Sequence, residues 1–332
     1  MHLSDALLST PVALTGGAVA AGLLATAGKE IKEKENTSII PLMGVLGAFI
    51  FAAQMINFAI PGTGSSGHVI GGVLLAAFLG PWAAFVTIAS VLIIQCLIFA
   101  DGGLLALGCN LINMGVTTTL IAYPLIYAPI VRRLRSPWVI MLGSVCACVV
   151  GLELGAFLVS VETLLSGVSA LSWSSFISIM AMIHLPIGVV EGIATAAVII
   201  FVARTRPDLL SLSKTAPSRK TVRRAVLWFA GATAVIALVI VWFASANPDG
   251  LEWSIEKVAG VEEIEQEHPT VVSLIAGKIS NTTSIMPEYE NPLSGIAGAV
   301  FVLFVVWCLT SFLIKTKLKE GDIKEGNPGH AE

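Results

Sequence analysis

Charge is scarce in this chain. Of its 332 residues only 12% are charged and 55% are hydrophobic, and the mean hydropathy is +0.87. A soluble domain carries about 25% charged residues, so this chain has too few to cover a surface that faces water. The shortage excludes a soluble globular protein. It predicts an all-α, polytopic membrane protein whose main surroundings are a lipid bilayer, and we expect no nucleic-acid partner.

Cysteine is also rare, and none of it lies in a polar loop. The five cysteines all lie in apolar stretches: Cys96, Cys109, Cys146, Cys148 and Cys308. A disulfide framework needs loop cysteines in an oxidising space, so this placement excludes one. We interpret the five as small residues that pack within the membrane.

A phosphate-binding loop is missing as well. Gly277-Lys278 is the pair nearest to one, but Ile279 follows it and the required upstream glycine is absent. The chain therefore does not bind ATP in that way. Uphill transport would need another subunit or an ion gradient.

A cleaved signal peptide is the simplest interpretation of residues 1–27, because Ala25–Ala27 resembles a cleavage site. The leading "MHLSD" has no lysine or arginine, however, whereas a signal peptide begins with positive charge. We expect a retained first helix, whose terminus begins with Met1 and His2.

Apolar runs predict the membrane spans, since a helix needs about 20 apolar residues to cross a bilayer. Nine runs qualify: residues 7–28, 38–60, 67–80, 82–100, 103–129, 137–160, 172–203, 225–245 and 293–314.

Positive charge predicts their orientation, because lysine and arginine of short loops favour the cytoplasm. With the N-terminus outside, 17 of the 19 basic residues lie in cytoplasmic segments, and only Lys257 and Lys278 lie outside. We expect a multi-pass protein of a bacterial or archaeal inner membrane, with its N-terminus outside and its C-terminus in the cytoplasm.

Composition divides the chain into three parts. Residues 1–205 hold seven of the predicted spans, and residues 206–224 are basic, contain two prolines and predict a cytoplasmic linker. Residues 225–332 hold two spans separated by segment 246–292, which carries nine acidic residues. That segment is either a solvated loop or an attractor of cations outside the cell.

Polar residues inside predicted spans are costly and often functional. Gln54 and Asn57 are three residues apart and share a helix face, as do Asn110 and Asn113. Hydrogen bonds between helices and a supporting role around a site remain equal alternatives for these four.

Two further polar residues, His184 and Glu191, lie seven residues apart on one helical stripe. We favour a structural pair over a functional one for them.

The first two residues suggest a metal chelate. The Met1 amine, the His2 amide and the His2 imidazole can bind one metal, and His68 on the same outer side can supply a fourth nitrogen. Four nitrogens in a plane are typical of Ni(II) or Cu(II). A histidine without any such role is the alternative.

Several separated motifs carry a family resemblance. They are "MHLSDALLS", "AAQMINF", "PGTGSSGHVIGGVLLA", "LGPWAAF", "FADGGLLALGCNLINMG" and "HLPIGVVEG". Over residues 1–205 they resemble the cobalt/nickel substrate-capture family of energy-coupling-factor ABC transporters (the CbiM/NikM type). "NPDGLEWSIEKV" at 247–258 is similar to the two-span accessory subunit of the same systems, fused here at the C-terminus.

This resemblance implies a seven-helix capture (S) component that imports Co²⁺ or Ni²⁺, for cobalamin biosynthesis or for nickel enzymes. It implies a metal site of Met1, His2 and His68, with Gln54, Asn57 and Asn110 around it. It also implies a transmembrane coupling (T) subunit and two cytosolic ATPase subunits as partners. No enzyme activity and no cofactor are expected, because the metal is cargo.

Small residues on the first span suggest where such a partner would dock. Gly17, Ala21 and Ala25 recur every four residues, and small stripes let membrane helices approach closely. The stripe contacts either the coupling subunit or the rest of this chain.

Two other functions stay open from the residues alone. One is a stand-alone secondary metal transporter driven by an ion gradient, with Glu153 and Glu191 as carriers. The other is an intramembrane enzyme that uses His184 and Glu191.

Overall fold

A computed structural model describes residues 1–33, 39–133, 136–167, 171–261, 264, 270–287 and 293–308 of the chain. The helices are α1 (Thr10–Glu33), α2 (Ile40–Gln54), α3 (Gly72–Leu79), α4 (Pro81–Phe99), α5 (Leu107–Arg132), α6 (Pro137–Leu165), α7 (Trp173–Thr205), α8 (Arg219–Leu238), α9 (Gly250–Ala259), α10 (Val271–Thr283) and α11 (Ser294–Cys308). A short antiparallel hairpin joins β1 (Phe58–Ile60) to β2 (Ser65–Gly67).

Six of these helices are long and apolar enough to cross a membrane: α1, α4, α5, α6, α7 and α8. Each corresponds to a predicted span, and the predicted class of an all-α, polytopic membrane protein is confirmed. Two shorter apolar helices, α2 and α11, correspond to two more of the predicted spans. The end of the last predicted span, residues 309–314, lies outside the described residues.

Local sequence explains where several helices begin. Ser136, Ser218 and Thr270 each precede a helix, and each side-chain oxygen accepts a hydrogen bond from a main-chain N–H of the first turn. Such caps satisfy amide groups that have no partner within the helix. Because of its cap, α8 begins at Arg219, inside the stretch predicted as a linker, so residues 219–224 are helical.

The predicted third span, 67–80, differs most from its prediction. Only Gly72–Leu79 is helical, and residues 68–71 form a non-helical connection from the hairpin. All eight residues of α3 are buried, mainly among α2, α4, α5 and α7. Irregular backbone is tolerated at membrane depth only where protein surrounds it, and that condition is met here.

The glycine before α3 is required by its backbone shape. Gly71 precedes the helix with φ of 80°, in the left-handed region that residues other than glycine rarely adopt. The chain turns there from the non-helical connection into the helix. This turn aims the N-terminus of α3 at the interior of the bundle, next to α7.

Candidate metal centre

The N-terminal segment is buried inside the bundle rather than exposed to solvent. The side chain of Met1 is 4% exposed and that of Leu3 is fully buried. The main-chain N–H of Leu3 donates to Asn110 Oδ1 at 2.8 Å, and Asn110 Nδ2 donates back to the Leu3 oxygen at 3.1 Å. The N–H of Gly103 also donates to that oxygen, at 2.8 Å. Asn110 therefore holds the main chain next to the two terminal residues.

A second anchor lies three residues after His2. Asp5 begins a short 3-10 helix, Asp5–Leu7, and its Oδ1 accepts a hydrogen bond from the N–H of Ala106 at 2.9 Å. Burial raises the pKa of Asp5, although backbone N–H groups at Ala106, Leu105 and Leu104 oppose the rise. The two anchors hold the terminus against the connection between α4 and α5.

The two histidines of the predicted site lie side by side. The imidazole rings of His2 and His68 stack with their centroids 5.4 Å apart and their planes 17° apart. His2 Nδ1 lies 3.1 Å from Asp101 Oδ1, and His2 Nε2 lies 3.3 Å from Gln95 Oε1. His68 Nδ1 lies 3.2 Å from the main-chain oxygen of Val69.

The protonation of His2 suits metal binding. Burial lowers the pKa of His2, and the neighbouring terminal ammonium lowers it further, while Asp101 opposes the shift. A neutral ring carries one N–H and can donate to Gln95 or to Asp101, but not to both. When Nε2–H donates to Gln95, the lone pair of Nδ1 is free for a metal.

The terminal amine has an ionic partner that the sequence did not indicate. The Met1 nitrogen donates to Asp249 Oδ2 at 2.6 Å, and Asp249 lies 248 residues away, at the start of α9. Burial raises the pKa of Asp249, but the terminal ammonium, His68 and the N–H of Glu252 together outweigh burial and hold the pKa well below its ordinary value. In the sequence Asp249 appeared as one of nine acidic residues and within the "NPDGLEWSIEKV" motif, and neither pointed to the terminal amine.

Gln54 belongs to a chain of amide hydrogen bonds that ends at His2. Gln54 Nε2 donates to the main-chain oxygen of Ile70 at 2.9 Å, and Gln95 Nε2 donates to Gln54 Oε1 at 2.8 Å. Gln95 then faces His2. Gln95 therefore connects Gln54 to the His2 ring. The sequence motifs did not predict a role for Gln95.

Asn57 lies beyond the end of α2, before β1, so the prediction that it shares a helix face with Gln54 is wrong. Its main-chain oxygen accepts a hydrogen bond from the N–H of Ser245 at 2.7 Å, so this contact does not depend on its amide side chain.

Glu191 and His184 each contact main-chain groups and are not hydrogen-bonded to each other. The two oxygens of Glu191 accept hydrogen bonds from the N–H groups of Ile70 and Gly71, at 2.8 and 2.9 Å. His184 Nδ1 lies 2.8 Å from the oxygen of Met180, one turn back in its own helix. The structural interpretation of these residues fits, but their predicted pairing is wrong, because the carboxylate of Glu191 accepts hydrogen bonds from the main chain just before α3.

Two other polar residues of the bundle lie away from these histidines. Asn113 Nδ2 donates to Glu162 Oε2 at 2.6 Å, which joins α5 to α6. Glu153 on α6 is partly buried, and its Oε1 has no hydrogen-bond partner among the described residues.

Within the described ranges, no group of three or more His, Cys, Asp or Glu side chains is arranged to hold a metal ion. A metal at this place would need main-chain nitrogen. Met1, His68, His184 and Asp249 line one small cavity of about 10 Å³. A space of this size is about that of one water molecule, so it admits a single small ion and excludes larger ligands.

The segment that carries Asp249 closes the site from one side. The main-chain N–H of Ser66 donates to the Pro248 oxygen at 2.8 Å, and its Oγ donates to the Asn247 oxygen at 2.8 Å. Trp253 Nε1 donates to the oxygen of Thr63 at 3.1 Å. Residues 245–253, which we term the cap segment, are thus fastened to the hairpin that precedes His68.

A bundle of apolar helices with a terminal amine and His68 at a small cavity, and His2 stacked beside His68, defines a membrane protein with a candidate site for one metal ion. The model of the family "Cobalt uptake substrate-specific transmembrane region" (CbiM) matches residues 2–209, and that of the PDGLE domain matches residues 223–315. The chain belongs to the CbiM family and carries a fused PDGLE domain. It is a membrane metal-transport protein and not an enzyme, and the resemblance drawn from its motifs is confirmed.

Relatives cover both parts of the chain. A putative fused nickel transport protein NikMN of Archaeoglobus fulgidus is 32% identical over 94% of this chain and 99% of that protein. The cobalt transport protein CbiM of Geobacter sulfurreducens is 30% identical over 92% of this chain and 84% of that protein. The crystal structure of a truncated transition metal transporter has a TM-score of 0.54 and 29% identity, over 61% of this chain and 99% of that one.

Proposed function

We propose that this protein is the substrate-capture subunit of an energy-coupling-factor ABC transporter that imports Co²⁺ or Ni²⁺. In this proposal residues 1–205 form the metal-capture domain, residues 206–224 a basic cytoplasmic linker, and residues 225–332 an accessory domain. The N-terminus faces the outside, as the distribution of positive charge predicts.

The observation that carries the proposal is the burial of the chain terminus beside His68. The Met1 amine, the His2 ring and the His68 ring lie around one small cavity or beside it. The Met1 amine, the His2 amide and His2 Nδ1 can close two fused chelate rings around a metal. His68 supplies the fourth nitrogen, and four nitrogen ligands in a plane suit Ni(II).

Supporting residues hold these ligands in place. Asn110 fixes the main chain of Leu3, and Gln54 acts through Gln95 on the His2 ring. Groups that orient metal ligands in this way commonly change metal affinity 10–100-fold when they are replaced. We assign Asn57 to the same surroundings through its contact with the cap segment.

The energy source is proposed to lie outside this chain, since the sequence has no phosphate-binding loop. A transmembrane coupling subunit and two cytosolic ATPase subunits would supply it. The alternative of a secondary transporter with Glu153 and Glu191 as carriers is less favoured, because both oxygens of Glu191 are bonded to backbone N–H groups. A carrier would have to release those bonds in each cycle.

Competitive Ni²⁺ and Co²⁺ binding to the purified protein with an unmodified terminus tests the site. We expect His2→Ala, His68→Ala and one extra residue before Met1 each to abolish measurable binding, because each removes or displaces a ligand nitrogen. His184→Gln is the matched control, since it alters a buried histidine of the same cavity that we do not assign as a ligand. Undiminished affinity in a chain with an extended terminus would show that the chelate is wrong.

A further inference from the structure

We propose that Asp249 of the cap segment is a positioning residue of the metal site, so that the accessory domain completes the site of the capture domain. This inference rests on the proposed function and assigns a task to the fused C-terminal part. Its basis is the 2.6 Å contact between the Met1 nitrogen and Asp249 Oδ2.

The contact is well placed to act on a metal ligand. Met1 is 4% exposed and the Asp249 side chain 16%, so little water can replace the carboxylate as the partner of the amine. A primary amine that binds a metal through its lone pair still carries two N–H groups. Asp249 can therefore accept a hydrogen bond from the amine both before and after the metal binds.

Asp249 is held rigidly by its own helix. Its Oδ1 accepts hydrogen bonds from the N–H groups of Leu251 and Glu252, at 2.8 and 2.9 Å, while the N–H of Asp249 donates to Glu252 at 2.9 Å. This capping box uses Oδ1 and leaves Oδ2 for the amine. One carboxylate thus starts α9 and orients the terminus of the chain.

The next residue explains why the cap segment lies so close to the bundle. A Cβ on Gly250 would meet His184 Cε1 and Ile187 Cδ1 at 3.2 Å, so only glycine fits against α7 without a shift. The bonds from Ser66 and Trp253 then fasten both sides of Asp249 to the hairpin. Asp249 and His68 are therefore held in one rigid unit, although they belong to different domains.

Asp249→Asn in the full-length chain tests the inference. Asparagine is also a good helix cap, so α9 should form, but the amine loses its carboxylate. We expect Ni²⁺ affinity to fall about 10–100-fold, as for other groups that orient metal ligands. Glu252→Gln is the matched control, because it removes one negative charge from the same capping box without touching the amine. Its affinity should stay within about 2-fold of the wild type, since surface charge alone contributes little.

A second measurement does not involve metal. In the metal-free protein, an amine-acylating reagent followed by mass spectrometry should label Met1 faster in Asp249→Asn than in the wild type or in Glu252→Gln. Purely structural damage by Asp249→Asn would instead abolish the visible absorption band of planar Ni(II) at saturating metal, whereas positioning leaves that band intact.

The outcomes separate this inference from the proposed function. If His2→Ala abolishes binding while Asp249→Asn binds as tightly as the wild type, the metal site stands and the role of Asp249 is wrong, whatever the labelling shows. If His2→Ala itself binds normally, the proposed metal site fails and this inference fails with it. Loss of the planar Ni(II) band in Asp249→Asn would also overturn the positioning role.

Discussion

At the scale of single residues, several buried polar side chains of this bundle satisfy main-chain groups. Glu191 is the clearest case, since its carboxylate accepts hydrogen bonds from the N–H groups of the two residues just before α3. Asn110 similarly exchanges two hydrogen bonds with the main chain of Leu3. An amide or acid inside a membrane helix is therefore not a ligand by default, even close to a metal site.

Replacing Glu191 should reveal this backbone role. Glu191→Ala leaves the buried N–H groups of Ile70 and Gly71 without acceptors, and each such group costs about 1–3 kcal/mol. Glu191→Gln keeps one acceptor oxygen and should lose roughly half as much stability. Thermal unfolding in detergent would measure the loss. Glu153→Ala is the control, and equal stability of the Glu191→Ala and Glu153→Ala proteins would contradict the assignment.

At the scale of elements, α1 presents a surface that the described part of the chain covers only in part. Gly17 is half-buried and its main chain lies close to Gly108 of α5, whereas Ala21 and Ala25 are exposed. The alternative that this small-residue stripe packs within the chain therefore holds at Gly17, while Ala21 and Ala25 remain exposed. The stripe remains our predicted contact for the coupling subunit.

Ala21→Leu tests that contact. The larger side chain should keep a partner helix from approaching, because small residues permit close packing in membranes. We expect metal uptake by cells to be abolished while Ni²⁺ binding to the purified protein is unchanged. Ala194→Leu, at an exposed position of α7, is the matched control and should transport normally. Loss of binding in Ala21→Leu would indicate misfolding and defeat the interpretation.

At the scale of the whole molecule, the CbiM part and the PDGLE part of the chain meet at the candidate site. The cap segment bonds to the hairpin and to the Met1 amine, so the accessory domain touches the site instead of lying beside it. On the opposite side of α3, Ser211 donates through its N–H to the Ala77 oxygen at 2.8 Å. The connection between the domains is thereby fastened to the end of the same short helix.

Removing the ATPase subunits distinguishes the two transport mechanisms. In cells that lack them, we expect accumulation of radioactive Ni²⁺ or Co²⁺ to stop, because this chain has no phosphate-binding loop of its own. Binding to the purified protein should persist. Uptake that survives their removal, and collapses when the ion gradient is dissipated, would favour the secondary transporter.

The sequence motifs predicted much of the candidate site. "MHLSDALLS" and "PGTGSSGHVIGG" identified Met1, His2 and His68, and "NLINMG" pointed to Asn110. Gln95 was not predicted as a site residue, because it lies in an apolar run without a recognisable pattern. The contact between Asp249 and the Met1 amine was not predicted, because 248 residues separate the two and no local pattern indicates a contact over that distance.

The sequence by itself determined the class of protein, most of the spans and the family, because scarcity of charge, length of apolar runs and local motifs are properties of neighbouring residues. Only the tertiary structure decided that residues 68–71 are not helical, since the main-chain groups of Ile70 and Gly71 are bonded to Gln54 and Glu191 from other helices. Likewise, only the tertiary structure shows that the cap segment contacts the Met1 amine. Hydrogen bonds and ion pairs between distant segments depend on three-dimensional proximity, which composition and periodicity do not encode.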